Sequence, residues 1–434
     1  MANLEKGNSK LLNAWAFYDW ANSVYTLVIS STIFPIYYGA LFRQKEIDYI
    51  TIFGSQVRSE ALISYITGIG FLIIAFISPL LSGIADYLGN KKFFLKFFCY
   101  LGSISCMSLY FFSIDDDKIL LSLLSYLLAL IGFWGSLVFY NSYLPDIAHK
   151  EQQDKVSAKG FSLGYIGSVI LLLICLAMVM LVDKKQALHM MQLSFLLVGI
   201  WWIGFSQYTY YFLPNHKNSN KMHRNVFFNG FKELRNVWKQ IKLIIPLKRY
   251  LAAFFVYSMA VQTIMIIAAY FGEKEVNWGD DNKRTIGLII SILVIQIVAV
   301  FGAWITSKTV ELYGNIKILI ALNFLWILIC TYAYFVITPN DFYIAAFFVG
   351  LVMGGIQSLS RSTYSKYIPS NSTDTTSFFS FYDVAEKIGI VIGMFTYGYI
   401  ADVTGKIQNA ILFLILFFVI GLLLLLRVPK NIIQ

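Results

Sequence analysis

Three ionisable residues sit in a stretch otherwise suited to the interior of a bilayer. In SFFSFYDVAEKIGIVIG (residues 377–393), Asp383, Glu386 and Lys387 lie within a single helical turn or so of one another. On a helix, Asp383 and Lys387 are four apart and share a face; Asp383 and Glu386 are three apart. An ammonium near the membrane midplane requires an anionic partner, water or a depressed pKa. A pair between Asp383 and Lys387 meets that need structurally and leaves Glu386 with no assigned partner. A carboxylate in that situation can carry a proton, while Lys387 can attract the carboxylate or phosphate of a solute.

The first apolar run, NAWAFYDWANSVYTLVISSTIFPIYY, holds Asp19, Asn22 and Ser23 at helical i, i+3, i+4 spacing. Asp19 falls about five residues inside the expected edge, roughly 8 Å at 1.5 Å per residue. An ionised carboxylate facing lipid is costly, so this face is expected to look into a helix bundle or a water-filled cavity. Its use there is a gate, a proton relay or a solute site; a permanent pair with a base is the structural alternative. Gln262 and Gln296 lie mid-way along two further runs and suit hydrogen bonding to a polar solute, or equally to a neighbouring helix. Arg361, near the end of its run, is expected to snorkel and fix orientation.

A third constellation is SGIADYLGNKKFF (residues 82–94), between the second and third runs, with Gly83, Asp86, Gly89, Lys91 and Lys92. The glycines allow a tight turn and close helix approach. Asp86 is suited to accept hydrogen bonds from the free N–H groups that open a neighbouring helix. The lysines are expected to face anionic headgroups or carboxylates. A basic turn that only fixes topology is the plainer alternative.

The elements that carry these residues follow from hydropathy. Of 434 residues, 58% are hydrophobic and 13% charged, and the mean hydropathy is +0.66. Soluble domains carry roughly a quarter of their residues as charges. About 20 apolar residues cross a bilayer, and windows of that size predict twelve spans: 14–41, 61–82, 93–113, 119–141, 160–182, 191–213, 249–271, 285–307, 314–337, 341–361, 377–400 and 407–427. Lys and Arg number 23 in the segments on the N-terminal side of these spans and 10 on the other. That bias puts both termini in the cytoplasm and the protein in a cytoplasmic (inner) membrane. The net charge of +10 is accounted for in the same way and does not call for nucleic acid. Cys99, Cys106, Cys175 and Cys330 lie in apolar stretches without a CxxC, so neither disulfides nor a thiolate metal site is expected.

The longest polar stretch starts at Pro214. Its segment VFFNGFKELRNVWKQIKLII alternates apolar and basic residues at near-helical spacing, as a helix lying on the inner membrane surface would. It divides the chain into residues 1–213 and 249–434, six spans each, joined by a linker at 214–248. After the fourth and tenth spans, the Tyr-apolar-Pro triplets at Tyr143 and Tyr367 are each followed by a polar loop and an entry rich in small and aromatic residues, as in an internal repeat.

The six-plus-six organisation and SGIADYLGNKK together resemble the major facilitator superfamily. Within it, AWAFYDWANS (14–23), LGYIGS (163–168) and GGIQSLSRSTYSKYIP (354–369) resemble the vacuolar amino-acid effluxer-like family and its bacterial relatives. The resemblance implies an all-α membrane protein of two pseudo-symmetric six-helix bundles around a central cavity, working by alternating access. It also implies that Asp86 meets the N-terminal end of the eleventh helix and helps hold one gate closed. The loop after the eighth span, GAWITSKTVELYGNIK, lacks a matching aspartate. Fungal members of the family are associated with amino-acid export from the vacuole.

The expectation is therefore a monomeric secondary transporter of a small polar or charged solute, coupled to protons, with membrane lipids as its surroundings. Asp19, Asn22, Gln262, Gln296, Asp383, Glu386 and Lys387 would line the path, and the residues around Asp86 would form a gate. No GxxxxGK[ST] nucleotide-binding motif occurs, and no cofactor is expected. A non-transporting receptor or scaffold with the same fold is the main alternative, and a membrane-embedded lipid-modifying enzyme a remoter one.

Overall fold

The computed structural model describes residues 4–52, 54–215 and 226–429. The first part of the polar linker, with Lys217, Lys221 and Arg224, lies outside the described residues. Among those described, twelve long helices form the spans. The first runs through Ser9–Val24, a π-helical stretch Tyr25–Ile33 and Phe34–Lys45. Spans two to six are Ser59–Leu88, Lys91–Ser108, Ile119–Asn141, Lys150–Met180 and Lys184–Phe212. Spans seven to twelve are Ile245–Glu275, Asp281–Tyr313, Asn315–Ala333, Pro339–Tyr367, Thr375–Thr404 and Ile407–Leu426.

Eleven of these are both long and apolar enough to cross a bilayer. The other, Thr375–Thr404, has 30 residues, about 45 Å of helix. Its apolar character is diluted by Asp383, Glu386 and Lys387. An antiparallel hairpin, Tyr49–Ile52 with Ser55–Arg58, joins the first and second spans. With even numbers of crossings between them, the N-terminus, the linker and the turns at residues 88–91, 313–315 and 367–375 all lie at one end. We call this the linker side, and the opposite end the hairpin side.

Each half buries its own aromatic core. Trp15, Tyr140 and Trp202 are enclosed in the first, Tyr250, Trp326 and Tyr364 in the second. The four cysteines are free and buried. Packing within the first half depends on a small-residue face of the fifth span. A Cβ on Gly164 would lie 2.4 Å from Ser23 Oγ, and one on Gly167 2.9 Å from the Trp20 carbonyl, so only glycine lets the first span come so near.

The linker forms a helix at Val226–Leu243. It does not simply lie along the membrane surface. A Cβ on Gly83 would sit 2.2 Å from the Gly230 carbonyl oxygen, so the helix meets the second span backbone to backbone. Val237 and Ile241, on the inner face of this helix, are buried. Gly83 is thus a packing residue inside the second span, which continues past Pro79 to Leu88; it is not part of a turn. Gly89 is the turn residue: its φ of 64° ends the helix in the left-handed region, and the third span starts at Lys91.

Candidate functional site

The two halves are joined by polar contacts on the linker side and towards the middle of the spans. Asp86, in the last turn of the second span, accepts hydrogen bonds from the backbone N–H of Thr376 at 3.2 Å and of Ser377 at 2.6 Å. Those amides open the eleventh span, where orphan donors and the positive end of the helix dipole favour a carboxylate. This is the contact that the resemblance implies for Asp86. Lys91 ion-pairs with Asp146 and donates to Thr375 Oγ1 and the Ser142 carbonyl, both at 3.0 Å. Lys92 departs from expectation: among the described residues it pairs with no carboxylate, and it donates to the Leu213 carbonyl at 2.8 Å within the first half.

The second half closes by other means. Asn315, the first residue of the ninth span as Lys91 is of the third, donates to Asp154 Oδ1 at 2.8 Å and to Thr363 Oγ1 at 3.0 Å. Lys366 ion-pairs with Asp154 and donates to Asn315 Oδ1 at 3.1 Å. The missing aspartate of the loop after the eighth span is thereby offset by one on the fifth.

Deeper lies a buried ion pair between the halves. Arg361 does not snorkel. Its Nη1 and Nη2 each lie 3.1 Å from Asp19 Oδ2, and Tyr140 donates to the same oxygen at 2.9 Å. Arg361 Nε and Nη2 donate to Ser157 Oγ and to its carbonyl, at 2.9 and 3.0 Å, and Nη1 to Asn141 Oδ1 at 3.3 Å. The guanidinium also stacks over Phe161 at 4.2 Å and Trp15 at 4.8 Å. One arginine of the second half is held by the first, fourth and fifth spans together. A planar five-donor group with weak hydration suits such a place. Gly160 makes the room: a Cβ there would lie 2.4 Å from Asp19 Oδ2. Asn22 is buried on the same helix, with its Nδ2 hydrogen-bonded to nothing described.

Nearer the middle, Lys387 is fully buried and lies 2.9 Å from Asp383 Oδ1 and 2.7 Å from Glu386 Oε2. Its Nζ stands 3.7 Å from the Trp134 ring centroid, across the boundary between halves. Ser78 donates to Asp383 at 3.3 Å. Glu386 is therefore not the unpartnered acid that its spacing suggests, because Gln262 of the seventh span donates to its Oε1 at 2.7 Å. Glu386 is half-buried, whereas Asp383 and Lys387 are enclosed. Tyr165 donates to Gln357 at 2.6 Å, again between halves. Gln296 is half-buried and hydrogen-bonded to none of the described residues, so it does not join this group.

Spacing alone does not reveal Asp146, Asp154, Asn315 and Lys366, which look like ordinary polar residues of the loops. Outside the spans, burial and then the Asp374 carboxylate raise the pKa of Glu233 on the linker helix.

The model of the family described as "Vacuole effluxer Atg22 like" matches residues 7–431. The chain belongs to the Atg22-like family. The MFS-type transporter YxiO of Bacillus subtilis is 33% identical over 432 residues, covering 98% of this chain and 96% of the relative. Autophagy-related protein 22 of Saccharomyces cerevisiae is 23% identical over 427 residues, 84% of this chain and 77% of that one. Among solved structures, the proton:xylose symporter XylE aligns with a TM-score of 0.69 at 13% identity, covering 98% and 96% of the two chains. The transporter FucP in its outward conformation aligns with a TM-score of 0.68 at 15% identity, covering 97% and 99%. This Atg22-like protein is accordingly a multi-pass membrane transporter of small solutes with the twelve-helix, two-bundle fold of the major facilitator superfamily, and not an enzyme.

Proposed function

We propose that this protein moves a small zwitterionic solute, such as an amino acid, by alternating access and in exchange for or together with protons. One observation carries the proposal. Asp383, Glu386 and Lys387 form a buried group of two acids to one base, with Glu386 its least enclosed member. With all three ionised, the site holds one surplus negative charge, which the membrane interior penalises. A proton on Glu386, or the ammonium of a solute, cancels it, and the two compete for the same carboxylate. Gln262 stands ready to bond either the acid or the solute.

In the alternating cycle, residues 1–213 and 249–434 act as two bodies joined by the linker at 214–248. The linker side faces the cytoplasm and the working unit is a monomer in the cytoplasmic membrane. Asp86, Lys91, Asp154, Lys366 and the Asp19–Arg361 pair hold the cytoplasmic gate shut. The polar contacts between the halves lie on the linker side and towards the middle of the spans, which supports an outward-open arrangement.

The test is uptake from an amino-acid mixture into proteoliposomes under an imposed pH gradient. Uptake that follows the gradient and loses that dependence in Glu386→Gln, while solute exchange persists, is the expected result. Uptake indifferent both to collapse of the gradient and to Glu386→Gln would sink the proposal.

A further inference from the structure

A groove of about 740 Å³ opens between the linker helix and the seventh and eleventh spans. Its floor is apolar, with Trp238, Phe255 and Phe381 prominent. Its charged lining is of one sign: Arg235, Lys242 and Lys248. All three are exposed, and none pairs with an acid among the described residues. Lys242 Nζ lies 5.2 Å from the Trp238 ring centroid, so one cation is held at the edge of the apolar floor. The acid of this helix, Glu233, instead interacts with Asp374. Large apolar side chains of the same helix, Phe228 at 79% and Leu243 at 80% exposed, suit hydrocarbon and not water.

We propose that this groove seats one anionic phospholipid of the linker-side leaflet. Its phosphodiester lies among Arg235, Lys242 and Lys248, and an acyl chain runs along Trp238, Phe255 and Phe381. Charge complementarity selects the occupant. Three cations with no acid partner among the described residues, above an apolar channel, fit a lipid with net negative charge, and a zwitterionic lipid brings a cation of its own into the same place.

The seat lies at a mechanical junction. The linker helix rests on the second span through Gly83 and Gly230 and touches the eleventh through Trp238 and Phe381, whose rings are 5.1 Å apart. Asp86 ties those same two spans together at the N-terminus of the eleventh. When the spans separate on the linker side, one wall of the groove moves away from the other. The lipid therefore binds the linker-side-closed form in preference to the open one, independently of what solute is carried.

The experiment is native mass spectrometry of the delipidated full chain with phosphatidylglycerol or phosphatidylcholine at equal concentration. The parent should retain phosphatidylglycerol in preference by about tenfold or more, on the scale that several basic residues give at a membrane surface. Arg235→Gln/Lys242→Gln/Lys248→Gln should lose that preference. Lys232→Gln/Lys239→Gln/Lys308→Gln, which removes equal charge outside the groove lining, should keep it. Equal retention of both lipids by the parent overturns the proposal, as does undiminished preference in the first variant or equal loss in the second. If the first variant does not fold, Ala385→Trp fills the groove and leaves every charge in place. Parental retention of phosphatidylglycerol by that variant is equally fatal.

Discussion

Gly160→Ala adds one methyl group at the buried ion pair between the halves. The new Cβ would lie 2.4 Å from Asp19 Oδ2, 3.0 Å from Arg361 Nη2 and 3.3 Å from the Tyr140 hydroxyl. Ordinary carbon contacts begin at about 3.5 Å, so the carboxylate must retreat by roughly 1 Å. Moved that far, it no longer holds both guanidinium nitrogens, now 3.1 Å away, in hydrogen-bonding geometry. Overpacking of this kind costs about 1–3 kcal/mol. In the open form Asp19, released by Arg361, is expected to turn away from the fifth span, so the cost is expected to fall mainly on the closed form. The open population should then rise by about 5- to 150-fold. Thr376→Cys supplies the readout. This position is buried between the halves and contacts Asp86 through its backbone N–H, which cysteine retains. The four native cysteines are buried and contribute little background. Labelling of the thiol introduced by Thr376→Cys, in membranes and with an impermeant maleimide, should accelerate when Gly160→Ala is added. Gly204→Ala, whose Cβ meets nothing within 4 Å, is the control. Labelling of Gly160→Ala at the rate of that control would refute the assignment of the ion pair to the closed gate.

Asp86→Asn keeps an acceptor but loses the charge on the helix amides; at about 1 kcal/mol it should speed labelling of the same introduced thiol several-fold. Asp154→Lys should lower the melting temperature in detergent sharply, since breaking a buried pair costs about 3–5 kcal/mol, and Asp154→Lys/Lys366→Asp should recover much of it. Gly83→Leu should detach the linker helix and raise amide exchange along Val226–Leu243, with little change in the hairpin-side ends of the spans. Glu233 has its pKa raised by burial and then by Asp374, with Lys232 opposing. The folded chain thus holds that proton more tightly than the unfolded one. The stabilising contribution is present at low pH and lost as pH rises through the raised pKa. Protection of the linker helix should increase on acidification, and Asp374→Asn should reduce that pH dependence.

The spans were legible because twenty apolar residues have few other uses, and even the eleventh keeps that pattern around its three charges. The linker helix was legible from its alternation of apolar and basic residues. Its seat against Gly83 was not, since the second span runs on past Pro79 into what reads as a turn. Asp19 and Lys387 announced themselves by depth. Their surroundings did not: Arg361 is 342 positions from Asp19 and looks like an orienting end-of-span arginine. Gln262 reaches Glu386 from another helix, and no local spacing encodes that meeting. Asp154 and Lys366 resemble solvated loop charges until the two halves bring them together. Pairing across the pseudo-symmetric boundary is tertiary information, and it is where reasoning from one helix at a time stops.

Under the proposed proton coupling, the imbalance of two acids to one base at Lys387 has an electrical consequence. A fixed surplus charge inside a bilayer that is reached first from one face and then from the other samples a changing share of the membrane potential. A full elementary charge crossing 100 mV is worth about 2.3 kcal/mol, enough to bias which face is open. Once a hydrogen ion occupies Glu386 the surplus vanishes and the same movement becomes indifferent to voltage. Proton occupancy would then decide not only what travels but also which half of the cycle the cell's own potential can drive.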